Sequence, residues 1–425
     1  MVSILLYLSF LVPISLIIRY FIKRTGRKLL LVSFLLIGLF LYIFVGSYKV
    51  IVLNEFYTSK YILSLFFLFL FIIIISFYGL KFEKFYSVSF QEKDYYGISF
   101  KKYFVLSMLL LLGSLYLFLL YTSRHGLPIL FNPELLFFQD VYKLRAEKWT
   151  NLHEGTSWYK LGFESIPRII IVFSVIVFPQ IKGIRRWFIF ILILSVSFIL
   201  LLCSLTKSPI VLSFFLAFLT YWYIYNTKIK ISTTLLSGAI FILLLFLLIK
   251  VYHLDRTNSE IISFLPEIVW DRITGSYTIA LAKILYIFPN YHDFHYGASF
   301  SNPFGIFPYN PINISQFLGD WTNRRLENDS PPSFAIGYAN FDFIGMIIVL
   351  IAIFFIVFYL QKKIARVKNS TYIYITFYIM YCERMMHFSI ESLLSTINLG
   401  LLFVFFIVYL IDITYNHFFI LKNRT

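Results

Sequence analysis

The stretch YILSLFFLFLFIIIISFYGL, Tyr61–Leu80, holds no acidic or basic residue over its 20 positions. About 20 apolar residues, rising 1.5 Å each as a helix, cross the roughly 30 Å hydrocarbon core of a bilayer. In that core every backbone amide must be satisfied within its own segment, so the run is expected to be a helix. Barrel strands would be shorter and would alternate polar with apolar residues, a pattern that is missing. Trp187–Leu205 and Ile231–Val251 repeat the same character. Working outward, apolar runs fall at 2–22, 29–47, 61–80, 103–121, 166–181, 187–205, 208–225, 231–251, 335–360, 371–390 and 397–416. The expectation is an all-α polytopic membrane protein of about 11 transmembrane helices.

Composition agrees. The 425 residues are 60% hydrophobic and 14% charged, against about 45–50% and about 25% in soluble chains. The net charge of +16 raises a nucleic-acid partner, but its distribution points to topology instead. The connections 23–28, 182–186, 226–230 and 361–368 carry 13 Lys and Arg and no acid. They fall on one side if the runs alternate, together with 81–102 and the tail bearing Lys422 and Arg424. The positive-inside rule makes that side the cytoplasm. The chain then starts outside and ends inside. Met1–Ile22 reads as a retained first helix, since Arg19, Lys23 and Arg24 follow its apolar run instead of preceding it. Cys203 and Cys382 lie in predicted helices and offer no disulfide framework.

With no internal repeat or low-complexity linker, residues 1–425 read as a single membrane domain. Two connections are long, 122–165 and 252–334, and are expected as the first and second large periplasmic loops. They are not basic: the first has five basic and five acidic residues, the second five and eight. Long connections in compact folds are functional or disordered, and the Trp, Phe, Tyr and Ile in both favour folded structure. Ser259–Ile287 has apolar residues near helical spacing, among Glu260, Glu267, Asp271 and Arg272. That predicts one or two amphipathic helices along the outer interface. Tyr296–Pro311 reads as irregular loop.

Ionisable groups at membrane depth are costly, about 2.5–3.5 kcal/mol each at a helix centre. The tenth run nevertheless holds Glu383, Arg384, His387 and Glu391. Glu383, His387 and Glu391 are spaced by four and share a helical face. The group must face protein or a wet cavity, either as a Glu–Arg pair joining helices or as a functional site. Lys207, between the sixth and seventh runs, either snorkels from a tight turn or contacts a phosphate. The outer arginines Arg124, Arg145, Arg256, Arg272, Arg324 and Arg325 are each surface charges or phosphate ligands. His292, Asp293 and His295 raise a metal site, but so small a set in a loop reads more simply as surface. Phosphate loops, zinc motifs and nucleophile elbows are missing. A lone Glu327-Asn328-Asp329 is a weak metal signal, so a mechanism without metal or cofactor is the simpler expectation.

Three short motifs carry a family resemblance. The first is Gly126-Leu127-Pro128-Ile129, followed by Arg145. The second is Tyr296-Gly297 with Ile306-Phe307-Pro308. The third is Ser330-Pro331-Pro332-Ser333 leading into Tyr338-x-Asn340-Phe341-x-x-Ile344-Gly345. Together with the architecture they resemble bacterial oligosaccharide repeat-unit polymerases, the O-antigen polymerases of the Wzy type. Two positions depart from the family pattern. Ala335-Ile336-Gly337 stands where members usually have an acid, and Lys207 stands where many have arginine.

The resemblance implies a metal-independent glycosyltransferase with a GT-C-like fold in the bacterial inner membrane. Its substrates would be undecaprenyl-diphosphate-linked glycans at the periplasmic face, and a chain-length regulator protein would be a partner. The growing glycan would move onto an incoming repeat unit, for O-antigen or capsule. Cations would stabilise the departing diphosphate, with Arg145, Lys207, Arg272 and Arg384 as candidates. A base within reach of the acceptor hydroxyl is needed: Glu391, His387, Glu383 or Asp271. The alternatives are an O-antigen ligase, which shares topology and donor, and a flippase or other transporter of lipid-linked oligosaccharide. A transporter should show related halves and short outer loops, and neither is evident.

Overall fold

The computed structural model describes residues 2–25, 29–86, 98–128, 131, 158–203, 207–225, 263, 276–300, 312–321, 331–365, 371–386 and 396–422. Every described element is helical. In chain order they are α1 (Val2–Thr25), α2 (Leu30–Gly38), a π-helical segment (Leu39–Val45), α3 (Ser47–Ile51), α4 (Ser59–Tyr86) and α5 (Phe100–His125). Next, α6 (Trp158–Lys160) runs through a π turn (Leu161–Ser165) into α7 (Ile166–Val177) and a 3-10 turn (Phe178–Gln180). The rest are α8 (Ile184–Cys203), α9 (Lys207–Tyr225), α10 (Ser276–Ile287), α11 (Ile314–Trp321), α12 (Ser333–Ala365), α13 (Thr371–Met386) and α14 (Thr396–Lys422).

Among the described residues, seven helices are long and apolar enough to cross a membrane: Ser3–Thr25, Leu31–Ile51, Ser59–Lys84, Phe100–His125, Leu161–Gln180, Ile184–Cys203 and Ser333–Lys363. Each coincides with a predicted run. The seventh, tenth and eleventh runs correspond to α9, α13 and α14. The eighth, 231–251, lies outside the described residues. The chain is thus an all-helical, membrane-embedded protein.

Two compact units make up the chain, and each is discontinuous in sequence. The first comprises Met1–Ser89, Pro266–Arg366 and Tyr381–Ser395. The second comprises Phe90–Leu265, Val367–Met380 and Thr396–Thr425. In the first unit α1 packs along α4, and α10 is surrounded by the π-helical segment, α3, α4 and α12. Ala280, Leu281, Ala282, Ile284, Leu285 and Ile287 are all fully buried. The 12 described residues of α10 rise about 18 Å along its axis.

These surroundings correct the expectation of an interfacial amphipathic helix for Ser276–Ile287 alone, since 259–262 and 264–275 lie outside the described residues. The charges that made the segment look amphipathic precede it. The one charge on α10, Lys283, is itself buried, its ammonium 5.7 Å from the Phe56 ring centroid. Glu260, Glu267, Asp271 and Arg272 lie outside the described residues.

In the second unit α7 is central, packed by α5, α8 and α9. The π turn before it presses on α5 so closely that a Cβ on Gly162 would lie 2.8 Å from Leu117 Cβ. Helix α5 begins with Ser99 accepting the Lys102 amide at 3.3 Å. It ends at Gly126, whose φ of 73° and ψ of −178° form a conformation that glycine enters freely and other residues do not. The first motif glycine therefore has a structural role as a helix stop.

Candidate functional site

The sequence-derived site residues fall largely beyond what is described. Arg145, Asp271, Arg272, His387 and Glu391 lie outside the described residues. Lys207 is the first residue of α9, and Glu383 and Arg384 lie in the last turn of α13. The tenth run is thus helical at least to Met386. The side chains of Lys207, Glu383 and Arg384 are also outside the description.

Parts of two of the three motifs come together inside the first unit, Tyr296-Gly297 and Tyr338-x-Asn340-Phe341, while Ile306-Phe307-Pro308 and Ser330 lie outside the described residues. Helix α12 is broken at Phe341 (φ −143°, ψ 32°) and Asp342 (φ 56°, ψ −153°). The break leaves carbonyls at the end of the first half, 333–340, without helical partners. The loop after α10 supplies them. The His295 amide donates to Ala339 O at 3.0 Å and the Tyr296 amide to Asn340 O at 3.2 Å.

Asn340, fully buried, completes the joint with its side chain. Its Oδ1 accepts from the Gly297 amide at 2.8 Å and the Ser299 amide at 3.3 Å. Its Nδ2 donates to Ile336 O at 2.8 Å. Gly297 adopts φ 99°, which lets its amide turn toward the helix end. Across the break the two halves touch through backbone: a Cβ on Gly337 would lie 2.5 Å from Gly345 O. The Tyr-x-Asn-Phe and Tyr-Gly motifs are therefore two halves of one hydrogen-bonded joint.

Beside the joint, His295 is buried, against the reading of this loop histidine as surface. Its Nδ1 meets Ser299 Oγ. Its ring stands edge-on to Phe288 at 5.0 Å, His292 at 5.1 Å and Phe317 at 5.6 Å. Nε2 has no hydrogen-bond partner among the described residues. Burial, then the nearby His292, pull its pKa below the usual 6.5, so the ring stays neutral. A neutral ring with Nε2–H among aromatic faces leaves Nδ1 to accept from the Ser299 hydroxyl.

Asp342 has an unusual backbone. Its φ and ψ lie at the edge of a region that essentially only glycine occupies, costing other residues on the order of 1–3 kcal/mol. The side chain is exposed, and its carboxylate lies beside the Tyr338 hydroxyl. That hydroxyl also donates to Phe288 O at 3.3 Å. Phe341 is exposed and stacks on Phe300 at 6.5 Å, and Tyr296 is exposed.

Farther along the same unit, Phe56, Tyr286, Tyr291 and Trp321 form an aromatic cluster. Tyr286 stacks on Tyr291 at 5.2 Å, and Trp321 lies 6.1 and 6.2 Å from those two rings. Lys60 Nζ donates to Phe288 O at 3.1 Å, tying the start of α4 to this loop.

The second unit holds charges that the sequence reading passed over. Lys102 pairs with Asp412 in a buried ion pair, and Tyr372 donates to Asp412 Oδ1 at 2.6 Å. The Lys102 ammonium also lies 5.3 Å from the Tyr372 ring centroid. In the π turn and α7, buried Glu164 and Arg168 pair at 3.5 Å, four residues apart. The signal was available, since Asp412 lies inside a predicted run and an intramembrane acid requires a partner.

No protein-family model matches the chain, nor does any curated protein or solved structure.

Proposed function

We propose that this membrane protein is an oligosaccharide repeat-unit polymerase. It would join undecaprenyl-diphosphate-linked units by glycosyl transfer at the periplasmic face of the bacterial inner membrane. The observation that carries this reading is the Asn340 joint. Tyr296-Gly297 and Tyr338-x-Asn340-Phe341 are separated by about 40 residues, yet Asn340 ties them through two amides. Motifs that mark a shared activity are expected to meet in space, and these support the resemblance by doing so.

On this reading the amino terminus is periplasmic and the carboxyl terminus cytoplasmic, with about eleven spans in a GT-C-like arrangement. The α12 break then lies near the outer face. A broken membrane helix is tolerated where its backbone is met by protein or borders a wet cavity. The chemistry needs cations at the diphosphate, for which Arg145, Lys207, Arg272 and Arg384 are the candidates, and a base at the acceptor hydroxyl.

The test is a deletion strain complemented with wild-type or Asn340→Ala protein. Deletion is expected to leave surface lipid carrying a single repeat unit, and wild type to restore the ladder of longer chains. Polymer accumulating on its carrier with nothing attached to the surface lipid would instead indicate a ligase. Single units trapped on the cytoplasmic side would indicate a flippase.

A further inference from the structure

We propose that Asp342 is the general base of the transfer, taking the proton from the acceptor sugar's attacking hydroxyl. The inference rests on the polymerase reading and adds a residue that neither composition nor spacing had singled out.

The argument begins with the backbone. Asp342 holds φ 56° and ψ −153° at the α12 break, where glycine would fit without strain. Among the described residues positive φ occurs at Gly126, Gly183 and Gly297 and also at Asn54, Phe56 and Tyr296, so Asp342 is the one carboxylate held there. A carboxylate kept at such a position needs a reason, and the one structural contact described for it is the Tyr338 hydroxyl. Asp342 is not an ordinary helix cap: such residues have extended backbone and accept a following amide, and its carboxylate accepts no backbone amide among the described residues. It makes no described ion pair either. Its described neighbour is the Tyr338 hydroxyl.

What surrounds it suits a sugar. The carboxylate is exposed, so an acceptor can reach it. Exposed Phe341 and Tyr296 offer ring faces near the break. In the joint beneath, Asn340 and the His295 and Tyr296 amides hydrogen-bond the two segments of chain together. Preorganised donors and acceptors on a fixed frame are what positions a base.

The step balances. The acceptor O–H bond breaks, and its proton passes to the Asp342 carboxylate. The acceptor oxygen forms a bond to the donor's anomeric carbon, and the bond from that carbon to the diphosphate oxygen breaks. Undecaprenyl diphosphate leaves with the electron pair, and Asp342 returns its proton to water.

The experiment uses the full-length protein in nanodiscs, with undecaprenyl-diphosphate-linked repeat unit as donor and acceptor and chain elongation read on gels. Asp342→Asn keeps the shape, while Asp342→Gly relieves the backbone. Both are expected to slow elongation at least roughly 100-fold. The Gly variant should unfold at the same or a higher temperature than wild type, and donor binding should be unchanged in both. Wild-type rates in either variant would overturn the assignment alone. So would loss of donor binding, or loss of elongation in Glu391→Gln with Asp342→Asn active. Absence of any elongation by wild-type protein would instead remove the polymerase reading, and this inference with it.

Discussion

Asn340 satisfies two amides and one carbonyl at once, and it is buried. Asn340→Ala strands those groups at roughly 1–3 kcal/mol each where water cannot enter. The expected result is a clear fall in the thermal unfolding midpoint in detergent, with loss of elongation in cells. His295 makes a pH prediction. Its folded pKa lies below the ordinary 6.5, so above that value both states are neutral and the group contributes nothing. As pH falls below 6.5 the unfolded chain takes up a proton that the native state refuses, and stability declines until the native pKa is reached. Wild-type protein should therefore lose more stability between pH 7.5 and 5.5 than His295→Gln does. Equal losses in the two proteins would show that the buried ring is not the cause. Both residues stood in quoted motifs or were weighed from the sequence, yet their roles were not readable. His295 looked like surface because a loop histidine carries no mark of the Phe288, Phe317 and His292 rings that enclose it.

Helix α12 shows how a continuous apolar run can hide a break. Residues 335–360 read as one helix because hydropathy reports burial in lipid and is blind to φ and ψ. The glycine pair Gly337 and Gly345 was the local clue, since it permits backbone contact across the break. Gly337→Ala is expected to abolish folded protein, measured by size-exclusion chromatography, because the added carbon meets backbone oxygen that cannot move aside. Gly113→Ala is the control: nothing lies within 4 Å of a Cβ there. In mid-helix that change should stabilise by about 0.5–1 kcal/mol. Helix α10 illustrates the reverse difficulty. Its apolar content was visible within Ser259–Ile287, but only its neighbours show that Ser276–Ile287 is enclosed by protein instead of resting on lipid.

Across the assembled chain, burial of charge is the strongest internal test of packing. Asp412→Ala leaves Lys102 buried without its carboxylate, which typically costs about 3–5 kcal/mol. The double variant Lys102→Met with Asp412→Leu should recover most of that loss in the same unfolding assay. Topology can be checked independently. Phe56 packs on Tyr286 at 5.9 Å, so the turns before α4 and after α10 share a face. In a cysteine-free background, Asn290→Cys is expected to react with an impermeant thiol reagent in intact cells. Lys363→Cys should react only after permeabilisation. The opposite pattern would invert the proposed orientation.

The apolar runs determined by themselves that this chain is helical and membrane-embedded. Hydrocarbon forces each backbone amide to find its partner a few residues away, so local composition suffices. The tertiary structure decided what depends on distant partners: the gathering of each unit from separate stretches of sequence, the pairing of Lys102 with Asp412, and the docking of the 295–299 loop on the broken α12. Those outcomes turn on close packing and on the satisfaction of buried polar groups. Neither quantity is a property of any stretch of sequence taken alone.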